Sequence, residues 1–485
     1  MTRVSGRRLA LALFAVSSLP VPAAHAAEEP ALRLEPCSEA PLETALCGSL
    51  PVPEAEAGGR TIPLKVVVIP ALEPDASMVP LFHLEGGPGV AASGAAGFYK
   101  GTAGREYRLR RPVVLVDRRG TGGSGALRCP TLAAQGPLEE MYELGAVRSC
   151  RAELERGADL TAYGSEAAAS DLDRVRSALG YPRIDLWALS YGTQLAQVYL
   201  KRFPAHVRSA VLVGVAPLDL KAPLYHAAAA QRVLDLVFHD CQMDPGCSAA
   251  YPDLRSEWRR VLEQLDRQPV RVRSPRAGRD ADTVVEIRRG PFAEGLRNLL
   301  TTTSAQRRIP FVVHRAAAGD FAPFLAMLPH GPSAVAEGLY LSATCTEGTA
   351  RVQPGEIAGL TAGTFLGDYR LRRQQAACAE WPRYAVPEDF FVAPATRVPV
   401  LVVSGAMDHV TPPRFAEELC GALPGCRLLS VPGLGHAPFD LNNWQGGDCL
   451  DRLMNAFYAR PDPAALDASC VYRMRPPAFK LPPSP

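Results

Sequence analysis

The chain nowhere carries an apolar run long enough to cross a bilayer, which takes about 20 residues. No membrane span is therefore expected. It has no C-x-x-C pair and no His–Cys cluster at ligand spacing, which argues against a zinc site. Charge of one sign is also missing. A formal +2 over 485 residues leaves no basic footprint, so no nucleic-acid partner is expected. The glycine-rich stretch Gly120-Thr121-Gly122-Gly123-Ser124 lacks the lysine and the spacing of a phosphate-binding P-loop.

What is present reads as a folded, exported chain. Hydrophobic residues make up 47% and charged residues 21%, as in ordinary globular proteins. The length suits one large domain with an insertion, or two or three ordinary ones. Proline (45) and glycine (41) are plentiful but spread out, as loop punctuation. At the start, Arg3, Arg7 and Arg8 precede a short apolar core, Leu9 to Val16. Pro20 and Pro22 break it, and Ala24-His25-Ala26 offers a small-x-small cleavage site. That is the pattern of a secretory signal peptide over residues 1–26, so the mature chain is expected to be soluble and exported, periplasmic or extracellular. The 12 cysteines agree with an oxidising compartment. Taken as sequence neighbours they suggest six local disulfides: Cys37 with Cys47, Cys129 with Cys150, Cys241 with Cys247, Cys345 with Cys378, Cys420 with Cys426, and Cys449 with Cys470.

Along the chain, residues 48–69 read as a strand pair around Gly58-Gly59. A short apolar strand, Val79 to Leu84, then runs into Glu85-Gly86-Gly87-Pro88-Gly89. This loop is either a plain turn or an oxyanion loop, whose glycines let backbone N–H groups approach a developing negative oxygen. Pro112 to Val116 is a third core strand. In the loop after it, Asp117 and Arg119 are either a bracing ion pair or solvated charges. Residues 131–180 look helical, with Ala168, Leu172, Val175 and Leu179 at helical spacing. Ile184 to Leu189 and Ser209 to Val215 are further buried strands. Strands and helices thus alternate at βαβ spacing, and the expected class is α/β with a mostly parallel central sheet.

Between about Pro217 and Ala395 buried-strand runs disappear. Helical stretches such as Ala228 to Phe238, Leu254 to Leu265 and Phe292 to Thr301 replace them. We read residues 217–395 as an inserted helical cap. Residues 27–216 are then the first part of the core and 396–485 its C-terminal part.

The candidate chemistry starts at Ala188-Leu189-Ser190-Tyr191-Gly192. An apolar strand ends on one serine, and a helix-like stretch, Gln194 to Phe203, follows. Small residues two before and two after the serine permit the tight strand-to-helix turn of a nucleophile elbow. Asp408 stands just beyond the resumed strand Val398 to Val403. His436 stands in a glycine-rich loop after the strand Arg427 to Val431. His409 is a rival histidine, but it adjoins Asp408, so its side chain should point elsewhere. Serine, aspartate and histidine in this chain order, with a glycine loop after an earlier strand, form the set needed for nucleophilic acyl transfer.

These motifs resemble the tripeptidyl-aminopeptidase-like branch of the α/β-hydrolases, peptidase family S33, related to prolyl iminopeptidases. The residues that carry the likeness are Glu85 to Gly89, Asp117 to Gly122, Leu189 to Thr193, Gly405 to Asp408 and Gly433 to His436. The region from Val398 to Cys470 is similar to the family's C-terminal part, and the likeness is weakest through the cap. Ala188 stands where glycine is usual, and Glu85 where prolyl iminopeptidases have histidine. The resemblance implies Ser190 as nucleophile, His436 as general base and Asp408 as its orienting acid. It implies backbone N–H groups of Gly87 and Tyr191 as the oxyanion hole, a peptide substrate and no cofactor. An aminopeptidase must also hold a free α-amine. Glu347, beside Cys345, and Glu380, beside Cys378 and Trp381, are the candidate cap carboxylates, with a solvated glutamate as the alternative for each. Three functions stay open: a serine aminopeptidase or tripeptidyl aminopeptidase, an esterase or amidase on the same triad, and a non-catalytic binding protein.

Overall fold

The computed structural model describes residues 1–2, 32–39, 42–55, 58–273, 284–329, 331 and 333–483. The expected signal peptide falls almost wholly outside the described residues. Nine strands form one sheet in the order β1-β2-β3-β5-β4-β6-β7-β10-β11. They are β1 (Glu35–Pro36), β2 (Leu46–Pro53), β3 (Thr61–Ile69), β4 (Leu81–Leu84), β5 (Val113–Val116), β6 (Ile184–Leu189), β7 (Val207–Val213), β10 (Val400–Gly405) and β11 (Cys426–Val431). β1 to β3 pair antiparallel and β3 meets β5 antiparallel. From β5 to β11 every pairing is parallel.

β4, β5, β6 and β10 are buried at every position, as strands covered on both faces must be. Side chains alternate between the faces. Ile184, Leu186 and Ala188 of β6 join one core cluster with Val400 and Val402 of β10. Trp187 and Leu189 join the opposite cluster with Leu401 and Val403. The Tyr191–Arg202 and Pro413–Ala422 helices feed Leu195 and Leu419 to the first face, and Cys449–Ala459 feeds Leu453 and Phe457 to the second.

The insertion between β7 and β10 is not uniform. Its first part, from His226 to Leu328, has a core of its own built on Phe238, Trp258, Phe292 and Phe324. It carries an antiparallel hairpin, β8 (Val270–Arg273) and β9 (Val284–Ile287), which the sequence reading did not anticipate. The hairpin is short, half exposed and rich in arginine, so no buried run announces it. The second part behaves differently. Leu339, Leu341 and Cys345 of the Glu337–Glu347 helix, with Ala377 and Cys378 of the Tyr369–Ala379 helix, are packed into the sheet's first core cluster. The six disulfides join sequence neighbours, and Cys345–Cys378 ties these two helices together. Among the described residues no helix is long and apolar enough to cross a membrane.

Candidate active site

β6 ends at Leu189 and the next helix begins at Tyr191, so Ser190 alone makes the turn. It does so at φ 55°, ψ −124°. A non-glycine residue held there stores roughly 1–3 kcal/mol of backbone strain. The surroundings over-determine that conformation. Ser190 N donates to Val213 O at 2.9 Å, and Thr193 Oγ1 donates to Ser190 O at 2.6 Å. A Cβ on Gly192 would stand 2.2 Å from Leu84 O, so glycine is required there. Ala188 is different: it lies in register with Leu84 and Leu212, and its methyl group belongs to the core.

Two other strand ends bring in the partners. Asp408 follows β10, and its Oδ1 accepts from Val410 N (2.7 Å) and Thr411 N (2.8 Å). Its Oδ2 accepts from Thr411 Oγ1 at 2.7 Å and from His436 Nδ1 at 2.9 Å. His436 Nε2 lies 2.9 Å from Ser190 Oγ. With the Nδ1 proton directed at an anion, Nε2 carries the lone pair that faces the serine hydroxyl. Asp408 is fully buried and His436 nearly so.

The insertion braces both loops. His436 N donates to Thr301 O at 3.0 Å, and Gly435 N to Thr303 Oγ1 at 3.1 Å. Arg232 donates to the carbonyls of Ala406 (3.0 Å) and Asp408 (2.8 Å). Nothing in the local sequence marks Thr301, Thr303 or Arg232 for this work.

The glycine loop after β4 lies against the elbow. A Cβ on Gly86 would be 3.0 Å from Ser190 Cβ. Gly87, at φ 112°, lines the same cleft as Ser190 and Tyr191. Tyr191 opens its helix, so its N–H has no partner within the helix. Glu85 does not face the cleft. Its carboxylate meets His83 Nε2 at 2.6 Å and Gly86 N at 3.2 Å, which pins the loop. Burial alone would raise its pKa, but the hydrogen bond and charge of His83 outweigh this and hold it below the ordinary value. His83 itself is stacked on Trp187.

Three other sequence expectations separate here. Asp117 and Arg119 do not pair. Asp117 accepts from Ser93 and Gly123, while Arg119 crosses to Asp171 at 2.6 Å; two residues apart on a turn, they face opposite sides. His409 is no rival to His436, because it is fully buried with Nε2 3.1 Å from Arg297. The two candidate amine anchors also part. Glu380 lies outside the cleft, half exposed, with Oε1 2.8 Å from Arg148 Nη2; the expectation that it holds an amine beside Ser190 is corrected.

Glu347, by contrast, lines the cleft with Ser190 and is 3% exposed. Its carboxylate accepts from Tyr384 OH (2.6 Å), Ser165 N (2.7 Å), Ser165 Oγ (2.8 Å), Gln194 Nε2 (3.2 Å) and Tyr191 OH (3.4 Å). No cation pairs with it among the described residues. Burial first, then the charge of Glu347, pushes the Tyr384 phenol well above its ordinary pKa. Burial does the same to Tyr191, against the opposing charge of Arg118. Both phenols therefore stay protonated and donate. His226 and Tyr340 also line the cleft.

A family model described as the alpha/beta hydrolase fold matches residues 79–240, and one described as TAP-like protein matches residues 363–470. Serine protease Hip1 of Mycobacterium tuberculosis (strain CDC 1551 / Oshkosh) is 25% identical over 458 residues, covering 85% of each chain. Proline iminopeptidase of Aeromonas sobria is 28% identical over 201 residues, 40% of each chain. The solved proline iminopeptidase of Mycobacterium smegmatis is 18% identical, with a TM-score of 0.40 over 86% of this chain and 99% of that one. The class is thus defined: the chain has the α/β-hydrolase fold. Within that class the matches support a TAP-like α/β-hydrolase of peptidase family S33.

Proposed function

We propose that this protein is an exported serine peptidase that cleaves near a free N-terminus through an acyl-enzyme. One observation carries the reading. The chain Ser190 Oγ, His436 Nε2, His436 Nδ1, Asp408 Oδ2 opens into a cleft that also presents the uncompensated carboxylate of Glu347. The likeness to a serine protease and to a proline iminopeptidase supports a peptidase, and six disulfides support export.

In this mechanism Ser190 Oγ attacks the scissile carbonyl carbon while His436 Nε2 takes the hydroxyl proton. The carbonyl oxygen becomes an oxyanion held by the N–H groups of Gly87 and Tyr191; one such donor is typically worth about 3–4 kcal/mol. Asp408 keeps the imidazole in its tautomer and stabilises the imidazolium. The C–N bond then breaks, and the leaving amine takes the proton from Nε2. Water attacks the acyl-enzyme, gives its proton to His436 and releases the acid, and the proton returns to Ser190. Glu347 holds the substrate's α-ammonium in place of the missing cation.

The test compares free and N-acetylated peptide amides with a short-chain ester, under a serine-directed inhibitor. Preference for the free N-terminus is expected. Preference for blocked peptides or the ester would replace the peptidase with an esterase or amidase on the same triad. Ser190→Ala is expected to lose about 10⁴–10⁶-fold in kcat on every substrate; full retained activity would end the reading.

A further inference from the structure

His226 opens the His226–Met243 helix at the start of the insertion and is 7% exposed. Arg370 Nε donates to its Nδ1 at 3.1 Å. A guanidinium is always a donor and does not lose its proton in a protein. Nδ1 must therefore carry a lone pair, and the ring is neutral with its one proton on Nε2. Arg370 is held in turn by Glu294 and by Tyr340 OH, and Glu294 also binds Arg297 at 3.0 Å. Burial first, and then the charges of Arg370 and Arg297, push the pKa of His226 well below its ordinary value.

The free nitrogen is the informative one. The ring lines the cleft beside Ser190, Gly87 and Tyr340. Nε2 makes no hydrogen bond to any described residue, yet it is not among the polar atoms sealed from solvent without a partner. A donor of fixed tautomer thus looks into the reaction cleft with nothing to bind. Behind it stand two guanidinium groups against one carboxylate, which favours an electron-rich oxygen over an amine. Tyr340, beside Arg370, and Glu347 lie on one helix seven residues apart, or about 10 Å at 1.5 Å per residue. The cleft therefore has an amine-seeking end and an oxygen-seeking end about three extended residues apart.

We propose that His226 is a substrate-binding residue whose Nε2–H donates to a substrate oxygen, a peptide carbonyl or a free carboxylate, beside the carbonyl that Ser190 attacks. This rests on Ser190 being the nucleophile.

The test uses the purified full chain and three variants. His226→Gln keeps an amide N–H near the position of Nε2. His226→Asn keeps an oxygen near Nδ1 to accept from Arg370 but has no donor that reaches the cleft. His226→Phe keeps neither. Each is assayed on an unblocked tripeptide acid and its amide, with kcat and KM resolved, and labelled at Ser190 with a fluorophosphonate. Gln is expected to stay within about threefold of wild type in kcat/KM, and Asn and Phe to lose about tenfold, mainly through KM. A larger loss on the acid than on the amide assigns the oxygen to a carboxylate, and an equal loss to a carbonyl. The reverse order, with Asn active and Gln impaired, would reduce His226 to an acceptor for Arg370 and overturn the proposal. Wild-type protein that fails to label at Ser190 would instead overturn the peptidase reading. If the variants do not fold, ¹⁵N-histidine spectra of the wild type decide. A neutral Nε2–H ring whose Nε2 resonance moves when the tripeptide's acid product is added is expected; an Nδ1–H ring, or no movement, sinks the idea.

Discussion

Glu347 and Glu380 have nearly the same address in the sequence and opposite surroundings. Each stands two residues after one half of the Cys345–Cys378 disulfide, and each sits at the C-terminal end of a helix. That end is unfavourable for a carboxylate, because the helix dipole is negative there. Glu380 escapes by turning to solvent and Arg148. Glu347 cannot, being buried, and it is offset from outside its own helix. Ser165 N opens the Ser165–Ala178 helix, and Tyr191 and Gln194 lie in the first turn of the Tyr191–Arg202 helix. The positive end of one helix, through Ser165 N, and two side chains of a second thus converge on one anion. A carboxylate so placed is stabilised while its charge stays uncompensated, which is what a site for an ammonium group requires.

Breaking the shared disulfide should erase the difference at the greatest cost. Its halves are 33 residues apart, and chain entropy alone assigns such a crosslink about 3–4 kcal/mol. Replacing Cys345 and Cys378 by alanine should lower stability by that amount in urea unfolding. It should also raise KM for unblocked peptides, because the Glu347 helix loses its tie. An unchanged midpoint would show that packing alone positions the carboxylate.

Glu347→Gln tests the function of the buried member. The amide keeps the shape and loses the charge, so KM for unblocked peptides should rise about 10- to 100-fold, the worth of a hydrogen bond to a charged group. Hydrolysis of a neutral ester should hardly change. Equal losses on both substrates would show that Glu347 only holds the elbow helix in place.

Sealed and open titrating groups also differ in what acid does to them. Burial, with the charge of Arg297, pushes His409 well below its ordinary pKa, as burial and Arg370 do for His226. On unfolding, both rings would bind protons again near pH 6.5. Between that pH and the depressed folded values the unfolded chain binds more protons, so stability rises with pH and is lost on acidification. Each histidine should contribute about 1.4 kcal/mol per pH unit below 6.5. The slope of unfolding free energy between pH 6.5 and 5 should fall by about one proton in His409→Gln; an unchanged slope would mean that His409 is not held neutral.

The two glutamates also mark where the sequence is legible. Ser190, Asp408 and His436 can be singled out because each follows an apolar strand, and the parallel sheet brings those strand ends to one edge. The sheet itself was readable from short runs buried on both faces. The β8–β9 hairpin was not, since its strands are short, half exposed and interrupted by charges. Nor were Tyr384 and Ser165, which bind Glu347, or His226, which lines the cleft, since all three come from segments remote in sequence. Proximity to a disulfide pointed to Glu347 and Glu380 alike. It fixes the backbone of both, but the direction of each side chain depends on which helix packs alongside.

The smallest effect is the control that keeps the comparison fair. The Arg148 hydrogen bond holds the Glu380 carboxyl below its ordinary pKa, yet the pair lies at the surface, where solvent and salt screen it. Glu380→Gln should leave the unfolding midpoint unchanged within measurement and kcat/KM within about twofold for free and blocked peptides. Combined with Glu347→Gln, it should add nothing, since the two carboxylates share no partner. A loss in the double variant well beyond that of Glu347→Gln alone would mean that Glu380 acts on the cleft from outside, through Arg148 or the disulfide. The buried carboxylate would then not be the whole of the proposed amine site.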